Sequence, residues 1–142
     1  MNLWDHPIPS TLAEAEAFAV EYAPTVRLAG TGDDVAVTLE MILSTELART
    51  QPELAWHVII RAVEMVSQKE AGLIGAGALE NLLSWHSREF LPRAEELALR
   101  SRHFAEALEN VWQFDMPEDQ WSRLEAFRAA NRDRWGQLGG AA

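Results

Sequence analysis

The sequence predicts an all-α protein, either a compact bundle of six or seven short helices or a short solenoid of helix pairs. Three observations predict it. Apolar residues recur at helical spacing almost throughout the chain. Helix starters and breakers punctuate those stretches, among them Ser10, Pro24, Asp33, Pro52, Ser101 and Pro117. No stretch alternates long enough to be a strand; Val26 and Leu28 alternate with polar neighbours, but that run is too short. No internal repeat is visible to support the solenoid over the bundle. The 142 residues suit one domain that can bury a core of its own, with residues 1–9 and 136–142 expected to fray.

Taken in order, Ser10 is expected to cap a first helix that runs through "TLAEAEAFAVEYA" to Pro24. Glu14 and Glu16 sit near its positive end, and Leu12, Ala15, Phe18, Ala19 and Tyr22 form its apolar face. "PTVRLAGTGDD" reads as a loop. Asp33 or Asp34 then caps "DVAVTLEMILSTELART", with Val35, Leu39, Ile42 and Leu43 on one side. Pro52 suits the first turn of "PELAWHVIIRAVEMVSQ". Apolar residues cover most of that helix, Trp56 among them, and its polar residues His57, Arg61, Glu64 and Gln68 fall on one narrow stripe. A helix apolar on most sides belongs at the centre of the fold.

The stretch "LIGAGALENLLSWH" decides between a phosphate loop, a catalytic acid and a helix start. A dinucleotide fingerprint needs a third glycine after a strand, but Glu80 stands in that position after Gly75 and Gly77. "GTGDD" fails in the same way at Val35, and no Gly-Lys pair exists for a Walker loop. The helix reading makes Gly77 the N-cap and lets Glu80 reach back to its amide, as half of a capping box. Gly75 would end the previous turn at positive φ, and Leu79, Leu82 and Leu83 would face the core. Pro92 then opens "PRAEELALR", Ser101 caps "RHFAEALENVWQ", and residues 115–117 precede a last helix whose Arg128, Arg132 and Arg134 complement its negative end.

The segments "AGALENLL" and "RHFAEALENVWQFDMPEDQW" resemble a family of small, uncharacterised bacterial helical proteins. That family carries an Ala-Gly-Pro-Leu-Glu-Asp-Leu-Leu motif after a tryptophan-containing helix, and later a Phe-x-x-Ala-Leu-x-x-Val-Trp stretch. Here those positions are Ala76 to Leu83 and Phe104 to Trp112, with Trp56 upstream. The resemblance spans roughly residues 52–125 and departs at Ala78 and Asn81, where the family often has proline and aspartate. It implies a helical fold and no activity.

Charge and composition narrow the function. Twelve bases against 22 acids leave a net charge of −10, and residues 1–70 carry 11 of the acids with only 4 bases. Nucleic acid and anionic membranes are poor partners for such a surface, whereas a basic protein is a good one. With no cysteine, disulfides and thiolate metal sites are excluded. The four histidines show no helical metal spacing, and no GxSxG nucleophile elbow occurs, so no catalytic residue, metal or cofactor is expected. His86 with Glu89 reads as a solvated helix end. "MNLWDHPIPS" has neither a basic nor an apolar signal region, and no run approaches a membrane span, so a cytoplasmic protein is expected.

Six tryptophans are many for this length. Trp56, Trp85, Trp112 and Trp121 are expected to pack in the core, and Trp4 and Trp135 to dock the termini. The expected function is a non-enzymatic acidic domain that binds another protein, in its most specific form an immunity or antitoxin-like inhibitor of a basic partner. The candidate binding residues are the stripe His57, Arg61 and Glu64 and the acids Glu14, Glu16 and Glu21, the last three on a helix's solvent face. The rivals are a small enzyme that uses Glu80 and a histidine in an interhelical pocket, and a self-associating structural protein with exposed aromatics. The sequence leaves the oligomeric state open.

Overall fold

A computed structural model describes residues 5–136. Among them the protein is all-α, with six helices in a compact arrangement and no strand. Helix α1 is Leu12–Tyr22, and the chain continues from it into a 3-10 turn, Ala23–Leu28, where a loop was expected. Helix α2 covers residues 34–50, α3 is Pro52–Met65, α4 covers residues 68–100, α5 is Arg102–Glu109 and α6 is Glu118–Trp135.

Short polar side chains set most of the starts. The α1 cap is Thr11, one residue later than expected: its hydroxyl accepts from the Glu14 amide, while Glu14 in turn accepts from the amide and hydroxyl of Ser10. Asp33 caps α2 by accepting from the Ala36 amide. Ser67 caps α4, so the helix expected to continue to Gln68 stops at Met65 and the chain restarts. Ser101 caps α5 at the Phe104 amide.

Helix α3 packs against α1, α2, α4 and α5, and its Ala55, Val58, Ile59, Ala62 and Val63 are buried. Trp56 is half-buried in the seam between helices, 5.7 Å from the Phe90 ring centroid and 5.6 Å from that of Phe104. Leu79, Leu82, Leu83 and Phe104 are all buried. The amino-terminal segment is held where fraying was expected: Pro9 is buried, the Gln51 side chain donates to its carbonyl, and the His6 ring meets the Phe18 ring edge-on. Trp135 docks by donating from Nε1 to the Ala98 carbonyl at 3.0 Å. Trp4 lies outside the described residues.

Helix α4 corrects three expectations. Gly77 does not cap a helix, because the chain runs helically through it from Gln68 to Trp85. Gly75–Leu79 is a π-helical stretch within it, and Gly75 has φ of −59° rather than a positive value. Gly75 is required for proximity instead: a Cβ there would lie 1.8 Å from the Ala107 carbonyl oxygen, so its bare Cα lets α5 pack directly on α4. Pro92 does not open a helix either. The backbone leaves helical geometry at His86 (φ −135°, ψ 34°), and Pro92 sits within the segment that follows. Both Pro92 and Arg88, whose carbonyl loses its helical donor, are exposed, so water can take the place of the missing bond.

A second π-helical stretch, Ile42–Leu47, interrupts α2, and the two stretches pack together. Such stretches inside helices recur at functional sites.

Candidate functional site

The polar stripe on α3 and the acids on α1 turn out to be one cluster. Glu16 accepts from His57 Nε2 at 2.7 Å and from Arg61 Nε at 3.0 Å, and Arg61 Nη1 reaches Glu64 at 2.7 Å. The side-chain bonds from Arg61 and then His57 hold the Glu16 carboxyl below its ordinary value. Glu14 is turned onto Ser10, and Glu21 pairs with His6. Glu14 and Glu21 stay exposed on the solvent face, whereas Glu16 joins α1 to α3, because the i, i+4 spacing of His57 and Arg61 points both at the neighbouring helix.

A pH dependence follows. Glu14, Glu16, Glu53 and Asp119 all have carboxyls depressed by hydrogen bonds, for Glu53 chiefly from Arg93 and for Asp119 chiefly from Gln120. A depressed folded value contributes stability above the unfolded value, which is lost as pH falls through the folded one. Urea melts should show stability dropping as pH falls below about 4.5. Glu16→Gln should make that drop shallower; identical slopes for the two proteins would mean that the cluster does not link protonation to folding.

Glu80 takes a different partner from the one expected. It is half-buried and accepts at 2.8 Å from the amide of Trp112, at the start of the loop between α5 and α6. Burial raises its carboxyl, and the Trp112 bond partly offsets that. A raised carboxyl contributes stability below its unfolded value and loses it as pH rises, so at neutral pH the ionised group is held here at a cost. No histidine joins it: His86 contacts the Arg49 carbonyl through Nε2 at 3.1 Å, and Glu89 pairs with Arg93.

That loop is tightly built. The Ser84 hydroxyl accepts from the Asp115 amide, and Gln113 Nε2 donates to the Met116 carbonyl and to Glu118. Arg128, expected to serve its own helix end, is buried and serves another. Its Nη1 donates to the carbonyls of Leu108, Glu109 and Val111, where α5 runs out. Burial lowers the Arg128 value, and its guanidinium lies 5.0 Å over the Trp121 ring.

What the loop presents is apolar. Trp112 is 72% exposed and Phe114 60%, which corrects the expectation that Trp112 packs in the core. Helix α5 ends at Glu109, where Asn110 folds its side chain back onto Glu106, so the helical spacing that would have turned Trp112 inward stops three residues short. Phe114 sits at φ 45°, a left-handed conformation that costs energy for a bulky residue. Trp85 is also exposed, and it borders a surface depression that reaches Pro117. Asp115, Glu118 and Asp119, all exposed, follow these aromatics in the chain; Glu118 accepts from Gln113, and Asp119 pairs with Arg88, which lines the depression.

A cavity of about 300 Å³ lies on another side, between the end of α1, the 3-10 turn, α2 and the start of α4, with Glu40 in its wall. Among the described residues no three His, Cys, Asp or Glu side chains gather as metal ligands would, and no helix is long and apolar enough to cross a membrane.

Residues 31–132 match the model of a family described as a family of unknown function (DUF6869). No curated protein and no solved structure matches the chain.

Proposed function

We propose that this chain, which belongs to the DUF6869 family of unknown function, is a protein-binding domain whose docking element is the loop carrying Trp112 and Phe114. The observation that supports it is a hydrogen-bonded loop whose aromatic side chains are exposed. Glu80, Ser84 and Arg128 hold the backbone on both sides, and the two largest side chains are turned to water rather than folded inward. Exposed aromatics on a firm scaffold are the residues that dominate binding energy at protein interfaces.

The acids that follow the aromatics in the chain select the partner's rim. Asp115 and Glu118 suit a partner with an apolar pocket edged by lysine or arginine, while Asp119 is already paired with Arg88. In its most specific form the protein is an inhibitor that covers a basic partner, as an immunity protein or antitoxin does. The His57–Arg61–Glu64 stripe and Glu16 serve the α1–α3 contact, so docking is assigned to the opposite end of the chain from the one the acid count favours.

The test compares proteins recovered from the native cell by the wild type, by Trp112→Ser/Phe114→Ser and by Glu16→Gln. A specific partner should be retained by Glu16→Gln and weakened at least tenfold by the loop variant, since losing one aromatic anchor costs about 2 kcal/mol. The loop variant should keep its urea midpoint. A partner bound equally by all three would remove the loop from the interface. A wild type that elutes as a dimer, and a loop variant that elutes as a monomer, would reassign the patch to self-association.

A further inference from the structure

Glu40 is an acid in an apolar place. The cavity around it is lined by Tyr22, Val26, Ala36, Met41 and Leu73, with Gly77 opposite, and its lining includes no lysine, arginine or histidine. The carboxylate is positioned on both oxygens: Oε2 accepts from the Tyr22 hydroxyl at 2.8 Å and Oε1 from the Ser44 hydroxyl at 2.7 Å. Burial and the neighbouring carboxylate push the Tyr22 hydroxyl well above its ordinary value, so it stays a donor. Two hydroxyls orient the anion but bring no positive charge, and among the described residues Glu40 forms no ion pair. Each carboxylate oxygen can accept a second hydrogen bond, so the group keeps capacity for another donor.

The backbone is shaped around the same point. Glu40 lies just before the π-helical stretch Ile42–Leu47, and Gly77 lies within the stretch Gly75–Leu79. A Cβ on Gly77 would come within 2.6 Å of Glu40 Oε1, so the missing side chain is what lets the carboxylate sit in the wall. The volume, about 300 Å³, is at the small end of ligand pockets.

We propose that this cavity binds a small organic amine, with its ammonium group on Glu40 and its apolar body, one ring or a short alkyl chain, against Val26, Met41 and Leu73. A cation supplies the charge that the wall lacks, and the apolar lining accepts the rest of the molecule without an unpaired polar group. The site is separate from the Trp112 loop, and its occupancy does not depend on that loop's role.

The test is a titration of the intact protein with phenethylamine and with 2-phenylethanol, followed by amide NMR at neutral pH, where the amine is protonated. The two probes share a body and differ in charge. The amine should bind roughly tenfold or more tightly than the alcohol, as expected for a charged hydrogen bond over a neutral one, and should shift the amides of Val26 and Gly77. Glu40→Gln should bring the amine down to the level of the alcohol. Ala76→Phe, which fills the exposed mouth from a position on α4, should weaken both probes and serves as the second variant if Glu40→Gln fails to fold. Equal binding of amine and alcohol by the wild type would overturn the proposal. So would an amine preference that survives Glu40→Gln, or the absence of shifts with either probe.

Discussion

Gly75→Ala is expected to lose about 3 kcal/mol or more, a cost at the upper end of overpacking because nothing nearby can move aside. The added methyl would meet the Ala107 backbone, with the carbonyl oxygen at 1.8 Å, the carbonyl carbon at 2.6 Å and the Cα at 2.8 Å. Relief requires α4 and α5 to separate, which uncovers Ala71, Ile74, Phe104 and Leu108, all buried. Gly77→Ala is the control. Its methyl meets only the Glu40 carboxylate, a side chain that can shift at the cost of its Tyr22 and Ser44 bonds, and alanine recovers up to about 1 kcal/mol of helix propensity over glycine, so the loss should be smaller than at Gly75. Urea melts of the two variants measure the difference. Equal stabilities would mean that α5 does not lie directly on α4 at this point, and the packing described here would be wrong.

The second large effect is at Trp56. Trp56→Ala should cost about 3–5 kcal/mol, toward the lower figure because part of the ring reaches solvent. The indole sits between Phe90 of α4 and Phe104 of α5, so its loss opens a seam that joins three helices. Trp112→Ala removes a side chain of the same size that has little to pack against, and it should change stability by no more than about 0.5 kcal/mol. A Trp56→Ala loss below about 1 kcal/mol would show that the seam contributes little to cohesion.

Local chemistry made most of the helices readable in advance. Asp33, Pro52 and Ser101 act through their own side chains or rings within one turn, and such effects survive any change of surroundings. The apolar spacing on α3 likewise pointed to its central place. Gly75 and Gly77 were misread because glycine serves two purposes. A positive φ and a close approach both need a missing side chain, and only the second depends on a partner as distant in sequence as Ala107 or Glu40. Trp112 was misread because the helical spacing was carried three residues past the end of α5.

The site itself was less legible. That Glu16 would meet His57 and Arg61 depends on α1 lying along α3, which neither segment encodes alone. The signal for Glu40 was present but unused: it is the one acid between Val35 and Thr45, in a run of otherwise mostly apolar residues. An unpaired charge in such a run is the pattern that merits a search for its partner. Nothing short of the folded chain shows that the Glu80 acceptor would serve the amide of Trp112, 32 residues away.

The π-helical stretch Gly75–Leu79 also works as a gear. An α-helix advances about 100° per residue, so one residue more in a turn rotates everything beyond it by that angle. Ahead of the stretch, α4 directs Leu73 toward the amine cavity; beyond it, Glu80 reaches the aromatic loop on another side of the molecule. A single helix thereby faces two separate surfaces, and the angular offset between them is carried by backbone hydrogen bonding rather than by any side chain. Changes in chain length are consequently not equivalent along this protein. At Gly32, an exposed turn position where a Cβ would meet nothing within 4 Å, a residue gained or lost alters only a turn. Between Gly75 and Leu79 a residue gained would rotate one surface out of step with the other, whereas a residue lost would return the stretch to ordinary α-helix.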